Sequence, residues 1–344
     1  MFKFLLFPFA IIYQLITSFR NHLYNIGYKK SIAFDIPVIS VGNLTVGGTG
    51  KTPHVNYITS IIQGQLNVKS AILSRGYGRK SRGFLLADSH TNSLQLGDEP
   101  LQLYYNFKGE VPVAVCEERI FGIPALIAEH PDLKAIVLDD AFQHRKVKPG
   151  LNILLSDFHR PFYHDYLLPV GRLRESRKGA VRADAVIVTK IPENISSDQL
   201  EEMLKNVATY TKAIVFFSAF SYSAPVHFNG KKAESFENII LVTGIAQTVY
   251  LLEYVTKIFN VVNHIKLEDH VVYNEHKISS ILSAYKQYKH KKPVILTTEK
   301  DMVKLKEILP EDNEIPFYFL PIKVRFLKDE DRFIQLITKY LESV

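Results

Sequence analysis

Residues 37–52 read PVISVGNLTVGGTGKT: an apolar run of strand character, a glycine-rich turn, then Gly50-Lys51-Thr52 at the head of a predicted helix. The order carries the chemistry. Glycines after an extended segment let successive backbone N–H groups converge on one anion, and the first turn of the following helix adds partial positive charge. Gly47, Gly48, Thr49 and Gly50 are expected to line a phosphate-binding loop, with Lys51 reaching the β- and γ-phosphates of ATP and Thr52 offering its hydroxyl to Mg²⁺. The usual P-loop spacing asks for glycine where Thr45 stands, so Gly42, Gly47 and Gly48 are expected to share its work.

Such a loop needs acids on a neighbouring strand. Residues 135–140, AIVLDD, place Asp139 and Asp140 at the end of an apolar run, where they would orient Mg²⁺ or its waters. Adjacent side chains on a strand point to opposite sides, so one acid is expected to ligate and the other to brace. Gly97-Asp98-Glu99-Pro100 and Asp269-His270 are weaker signals taken alone. An alcohol acceptor in phosphoryl transfer nevertheless needs a base or orienter, and a carboxylate beside a histidine can serve. Arg75, Arg119, Arg145, Arg172 and Arg174 lie in loops, several just after predicted strands, where a guanidinium fork suits phosphate on a substrate.

Around these motifs, short Val- and Ile-rich runs alternate with helical stretches, the pattern of an α/β protein with a mostly parallel sheet. Strands are expected at 37–41, 70–73, 111–115, 135–138, 152–155, 185–188 and 213–217, and again at 239–242, 292–296 and 317–320. Helices are expected at 248–257, 275–288, 302–308 and 330–340. A polar stretch near 221–237 divides a P-loop domain, 26–225, from a smaller α/β domain, 235–344.

Residues 1–25 form a third unit. Leu5, Phe9, Ile12, Ile16 and Phe19 recur at helical spacing between Lys3 and Arg20, with Pro8 marking the expected start, which suits a helix lying in a membrane interface. The apolar stretch is too short to span a bilayer comfortably, and the alternative is a helix packed on the protein's own core. A net charge of +7 favours anionic partners without choosing among them, and the single cysteine, Cys116, excludes an intrachain disulfide. Cys116 follows an apolar run and is expected to be buried filler.

Taken together, GNLTVGGTGKTP at 42–53, SRGYG at 74–78, GDEP at 97–100, LDDAFQHR at 138–145, LLPVGRLRE at 167–175 and TTEKD at 297–301 closely resemble the tetraacyldisaccharide 4'-kinase family, across nearly the whole chain. The resemblance implies transfer of the ATP γ-phosphate to the 4'-hydroxyl of an acylated glucosamine disaccharide 1-phosphate, giving lipid IVA at the cytoplasmic face of the inner membrane. It implies that Asp98 acts as base with His270 as its partner, the two meeting when the smaller domain closes, and that Glu99 stands beside the metal. It implies no nucleic acid and no obligate protein partner. Two other readings remain open: a membrane-associated GTPase or ATPase switch, for which residues 298–301 (TEKD) loosely echo a guanine signature, and a kinase of a soluble sugar.

Overall fold

Mainly apolar runs without alternation form most strands of the larger sheet, as a parallel sheet covered by helices requires. In the computed structural model that sheet begins with β1 (Val38–Asn43), β2 (Ser70–Ser74), the two-residue, half-buried β3 (Leu85–Leu86) and β4 (Val113–Val115). Next come β5 (Ala135–Asp139), β6 (Leu151–Asp157), β7 (Ala185–Thr189) and β8 (Ile214–Tyr222). The structure describes residues 2–231, 235–246, 248–310 and 314–343, with side chains from residue 5 onward. The side chains of Lys3 and Phe4 in the expected leader, and Lys232 in an expected turn, lie outside the described residues.

The strands assemble in the order β14-β8-β7-β6-β1-β5-β2-β4-β3, where β14 is Ile322–Phe326. Seven central strands run parallel, and the edge pairs β14–β8 and β4–β3 are antiparallel. β2 to β5 lie on one side of β1 and β6 to β8 on the other, so the crevice at the carboxyl ends of β1, β5 and β6 is the place where such a sheet binds ligands. A smaller sheet has the order β11-β10-β12-β13-β9, from β9 (Val226–His227), β10 (Asn238–Thr243), β11 (Asn260–Lys266), β12 (Val294–Thr298) and β13 (Phe317–Leu320).

The helices are α1 (Phe2–Asn25), α2 (Lys51–Ser60), α3 (Ser93–Leu96), α4 (Asp98–Asn106) and α5 (Arg119–Glu129). They are followed by α6 (Ser197–Ala208), α7 (Val249–Ile258), α8 (Glu275–Tyr288), α9 (Glu299–Lys306) and α10 (Glu330–Glu342). The division expected at 235–344 is corrected at both ends. His227 already pairs with Tyr318 in the smaller sheet, while Ile322 pairs back with Tyr222 in the larger one. Val324, Phe326, Phe333 and Ile337 then pack into the core that holds Ile39, Val55 and Phe216, so the last strand and helix belong to the P-loop sheet.

In α1 the expectation for Pro8 is also corrected, because the helix begins at Phe2 and carries Pro8 inside it. Leu5, Phe9, Ile12, Ile16 and Phe19 are 55–69% exposed, so this stripe does not pack on the protein's core. A flanking face is fastened to the domain. The Tyr13 hydroxyl donates to the Arg174 carbonyl at 2.8 Å, Arg20 to the Gln143 carbonyl at 2.9 Å, and Asn21 to the Glu175 carboxylate at 2.6 Å. Among the described residues, no helix is long and apolar enough to cross a membrane.

Candidate active site

Between β1 and α2 the chain turns through Gly47 at φ 109° and Gly50 at φ 86°, values that favour glycine. At Gly50 space adds its own demand, since a Cβ there would stand 2.5 Å from the Phe220 ring. Thr45, at the place where glycine is usual, is held extended by an antiparallel bridge to Leu173, and the next N–H, of Val46, donates to the Arg172 carbonyl at 2.8 Å. A residue paired in this way needs no positive φ, which explains why threonine is accommodated. The Asn43 amide donates to the Thr49 hydroxyl at 2.7 Å, and the Thr189 hydroxyl donates to the Thr49 carbonyl at 2.9 Å. Lys190 donates to the Gly48 carbonyl and pairs with Asp157 at 2.6 Å.

Fully buried His54 stands under the same turn, with Nδ1 2.7 Å from the Gly50 carbonyl and Nε2 3.0 Å from the Ser218 hydroxyl. Burial pushes its pKa down to about 4, so the ring is neutral at pH 7. A carbonyl can only accept, so Nδ1 carries the proton and Nε2 accepts from Ser218. Beside the loop, a small cavity is lined by Thr45–Thr49, Asp157, Arg160, Asp165 and Arg172.

The two acids at the end of β5 differ sharply. Asp140 has left the strand, with φ 48°, and its carboxylate lies 3.8 Å from the Lys51 ammonium and 2.8 Å from the Arg174 guanidinium. Burial alone would raise its pKa, but Lys51 and Arg174 outweigh it and hold the group below the ordinary carboxylate range. Asp139 accepts from the Ser74 hydroxyl at 2.9 Å through Oδ2, while its buried Oδ1 meets no partner among the described residues. Burial, then the charge of Asp140, pushes its pKa up to about 6.

Arg119 is not where a substrate contact would be. It is 2% exposed, and its guanidinium donates to the carbonyls of Asp139 at 3.0 Å, Glu117 at 3.3 Å and Cys116 at 3.4 Å. It braces the ends of β4 and β5 from within, because an arginine at the start of a helix can turn toward the sheet as readily as toward solvent. Arg174 is partly buried and engaged with Asp140, whereas Arg75 and Arg172 are exposed, Arg172 at the mouth of the cavity beside Gly47.

Asp98 and Glu99 open α4, and His270 stands in a left-handed turn after β11 with φ 56°. Asp98 Oδ2 and His270 Nδ1 are 3.4 Å apart, so the two face each other in this structure without any rearrangement. The hydrogen bond to Asp98 raises the His270 pKa above its ordinary value. For Asp98, burial acts upward, but His270, Lys304 and Lys300 together hold it below the usual range. Lys300 adds contacts of 3.1 Å to Glu99 and 3.2 Å to Asp269, and the Lys304 ammonium lies 3.2 Å from Asp98 Oδ2.

A phosphate loop, an acid pair beside it and a separate carboxylate–imidazole pair are thus held in one protein. Residues 2–342 match the family described as LpxK, tetraacyldisaccharide-1-P 4'-kinase. The chain belongs to the tetraacyldisaccharide 4'-kinase family. It is 39% identical to the tetraacyldisaccharide 4'-kinase of Cytophaga hutchinsonii, covering 99% of this chain and 97% of that protein. Identity to the same enzyme of Flavobacterium psychrophilum is 42%, with 98% and 96% covered. A crystal structure of LpxK from Aquifex aeolicus in complex with ATP superposes with a TM-score of 0.79 at 28% identity, over 99% of this chain and 100% of that one. In this 4'-kinase family member, sequence reasoning gave no role to His54, Lys190 or Lys304. Lys190 had a usable signal, since it follows a buried strand at the same edge of the sheet as the phosphate loop.

Proposed function

We propose that this chain transfers the γ-phosphate of ATP to the 4'-hydroxyl of tetraacyldisaccharide 1-phosphate, forming lipid IVA in lipid A biosynthesis. The observation that carries the reading is the pairing of a P-loop, whose Lys51 faces Asp140, with the Asp98–His270 pair at the start of α4. Lys51 and the loop amides would hold the β- and γ-phosphates, and Asp98 would orient the acceptor hydroxyl and take its proton, with His270 sharing the developing charge. Phosphoryl transfer asks for alignment and charge neutralisation more than for a covalent protein intermediate.

Mg²⁺ fits these residues. Asp139 Oδ1 is a buried acceptor that meets no donor among the described residues, and Thr52, Asp140 and Glu99 complete the candidate ligands. Among the described residues no group of three or more His, Cys, Asp or Glu forms a cage, which suits a cation held by one or two carboxylates together with substrate phosphates. Mg²⁺ would supply charge neutralisation across those phosphates. Of the arginines expected to meet substrate, Arg75 and Arg172 are exposed and available to an anionic group, and Arg174 fixes Asp140. The exposed apolar stripe of α1 supports peripheral attachment to the cytoplasmic face of the inner membrane, where the acyl chains would remain in lipid.

The switch reading loses its signature. Asp301 is fully buried, accepts the Gly244 N–H at 2.8 Å and the Tyr273 hydroxyl at 3.1 Å, and so serves the smaller unit rather than a guanine base. Purified protein with ATP, Mg²⁺ and the monophosphorylated disaccharide in detergent is expected to yield a lipid heavier by one phosphoryl group. ATP hydrolysis without any phosphorylated lipid would overturn the proposal in favour of the switch.

A further inference from the structure

A lysine rarely sits inside a protein unless its charge is met, and Lys304 on α9 is only 5% exposed. Its ammonium donates to the Val271 carbonyl at 2.9 Å, lies 3.2 Å from Asp98 Oδ2 and stands 5.7 Å from the centre of the Tyr273 ring. Val271 directly follows His270, whose positive φ is unfavourable for a side chain and persists only where surrounding contacts impose it. One ammonium therefore touches both the carboxylate and the turn that presents the imidazole. These halves come from different parts of the fold, α4 between β3 and β4 of the larger sheet and His270 after β11 of the smaller.

We infer that Lys304 is a positioning residue for phosphoryl transfer, setting the separation and orientation of Asp98 and His270 without itself touching substrate. α9 is a firm platform for this task. Thr298 caps its first turn by accepting the Asp301 N–H at 3.1 Å, and Asp301 ties the helix to Gly244 and Tyr273. His270 Nδ1 and Lys304 Nζ both approach Oδ2 of Asp98, which leaves Oδ1 to face the acceptor hydroxyl. Lys300, four residues earlier and on the same helix face, meets Glu99 at 3.1 Å, Asp269 at 3.2 Å and His270 Nε2 at 3.2 Å, so it touches the imidazole, whereas Lys304 joins the Asp98 carboxylate to the Val271 carbonyl of the turn.

The inference rests on the phosphotransfer reading, and the experiment separates the two. Lys304→Met, Lys304→Arg, Asp98→Asn and the Asp98→Asn/Lys304→Met double variant are assayed as full chains with ATP, Mg²⁺ and the monophosphorylated disaccharide in detergent. Lys304→Met is expected to lower kcat by about 10- to 100-fold with the KM for ATP unchanged, the effect of misplacing a reacting group. Lys304→Arg should recover part of the loss, and the double variant should be no slower than Asp98→Asn, because residues acting as one unit lose their contribution once. Near-normal turnover by Asp98→Asn overturns the phosphotransfer role of the pair. A slow Asp98→Asn beside a normal Lys304→Met, or losses that multiply in the double variant, overturn the inference alone. Should Lys304→Met fail to fold, Lys304→Gln keeps a donor for Val271 without the charge, and wild-type turnover by it overturns the inference equally.

Discussion

At the scale of single residues, charge in this site is placed rather than merely present. Lys51 is partly exposed and faces Asp140 across 3.8 Å, a separation at which it neutralises charge without supporting the core. Lys51→Ala is expected to reduce turnover by roughly 100-fold or more, the scale of a lost electrostatic contact to the transferring group, while the thermal midpoint stays within a few degrees of the parent. Glu299 carries a different consequence. The residue is 8% exposed, its carboxylate is met among the described residues by the Gln102 amide at 3.3 Å and the Ile322 N–H at 3.4 Å, and burial pushes its pKa up to about 7. The folded form binds this proton more tightly than the unfolded chain, so stability is fully present below the unfolded value of 4.5 and is lost as pH rises through about 7. Glu299→Gln should therefore raise the unfolding free energy at pH 8 by an amount on the order of 2 kcal/mol, read as a higher urea midpoint, and change little at pH 4. Equal midpoints for parent and variant at pH 8 would show that the buried carboxylate costs nothing.

At the scale of elements, α1 has two faces with separate duties, one apolar and exposed, the other bound through Tyr13, Arg20 and Asn21 to the segments that hold Asp140 and Glu175. Deleting the helix would disturb both, so the sharper test replaces Ile12 and Ile16 by Asp. The double substitution is expected to weaken liposome flotation and raise the KM for lipid at least tenfold while leaving that for ATP nearly unchanged, as loss of interfacial apolar area predicts. Equal flotation would remove the membrane role from this face. What could be read in advance follows the same logic of burial. β1, β5 and β7 were legible because they are mainly apolar without alternation, the mark of strands covered on both sides. β11, NVVNHIK, and β14, IKVRF, were missed because edge strands carry polar residues. The phosphate loop was legible for being contiguous. Arg119 was misplaced and Lys304 left without a role because spacing along a chain does not say which way a long cationic side chain turns, and their partners lie 20 and 206 positions away, at Asp139 and Asp98.

For the whole molecule, the return of the chain to its first sheet matters most. Phe333 is fully buried between Phe326 and Phe216, and the Tyr340 hydroxyl accepts the N–H of Val38, the residue that opens the P-loop strand. Phe333→Ala is expected to cost about 3–5 kcal/mol in a urea melt, a cavity in the principal core rather than a loosened tail. A loss below about 1 kcal/mol would mean that α10 is peripheral after all. The same return shapes how the two sheets are joined. The chain leaves the larger sheet along β8 and re-enters it along β14, and these strands lie side by side, hydrogen-bonded from Ser218↔Phe326 to Tyr222↔Ile322. A single strand would let the smaller unit spin freely, but a doubled ribbon resists torsion and bends mainly across its flat face. Any opening between the sheets would then swing like a gate on one post, with Asp98 on the frame and His270 and Lys304 on the leaf.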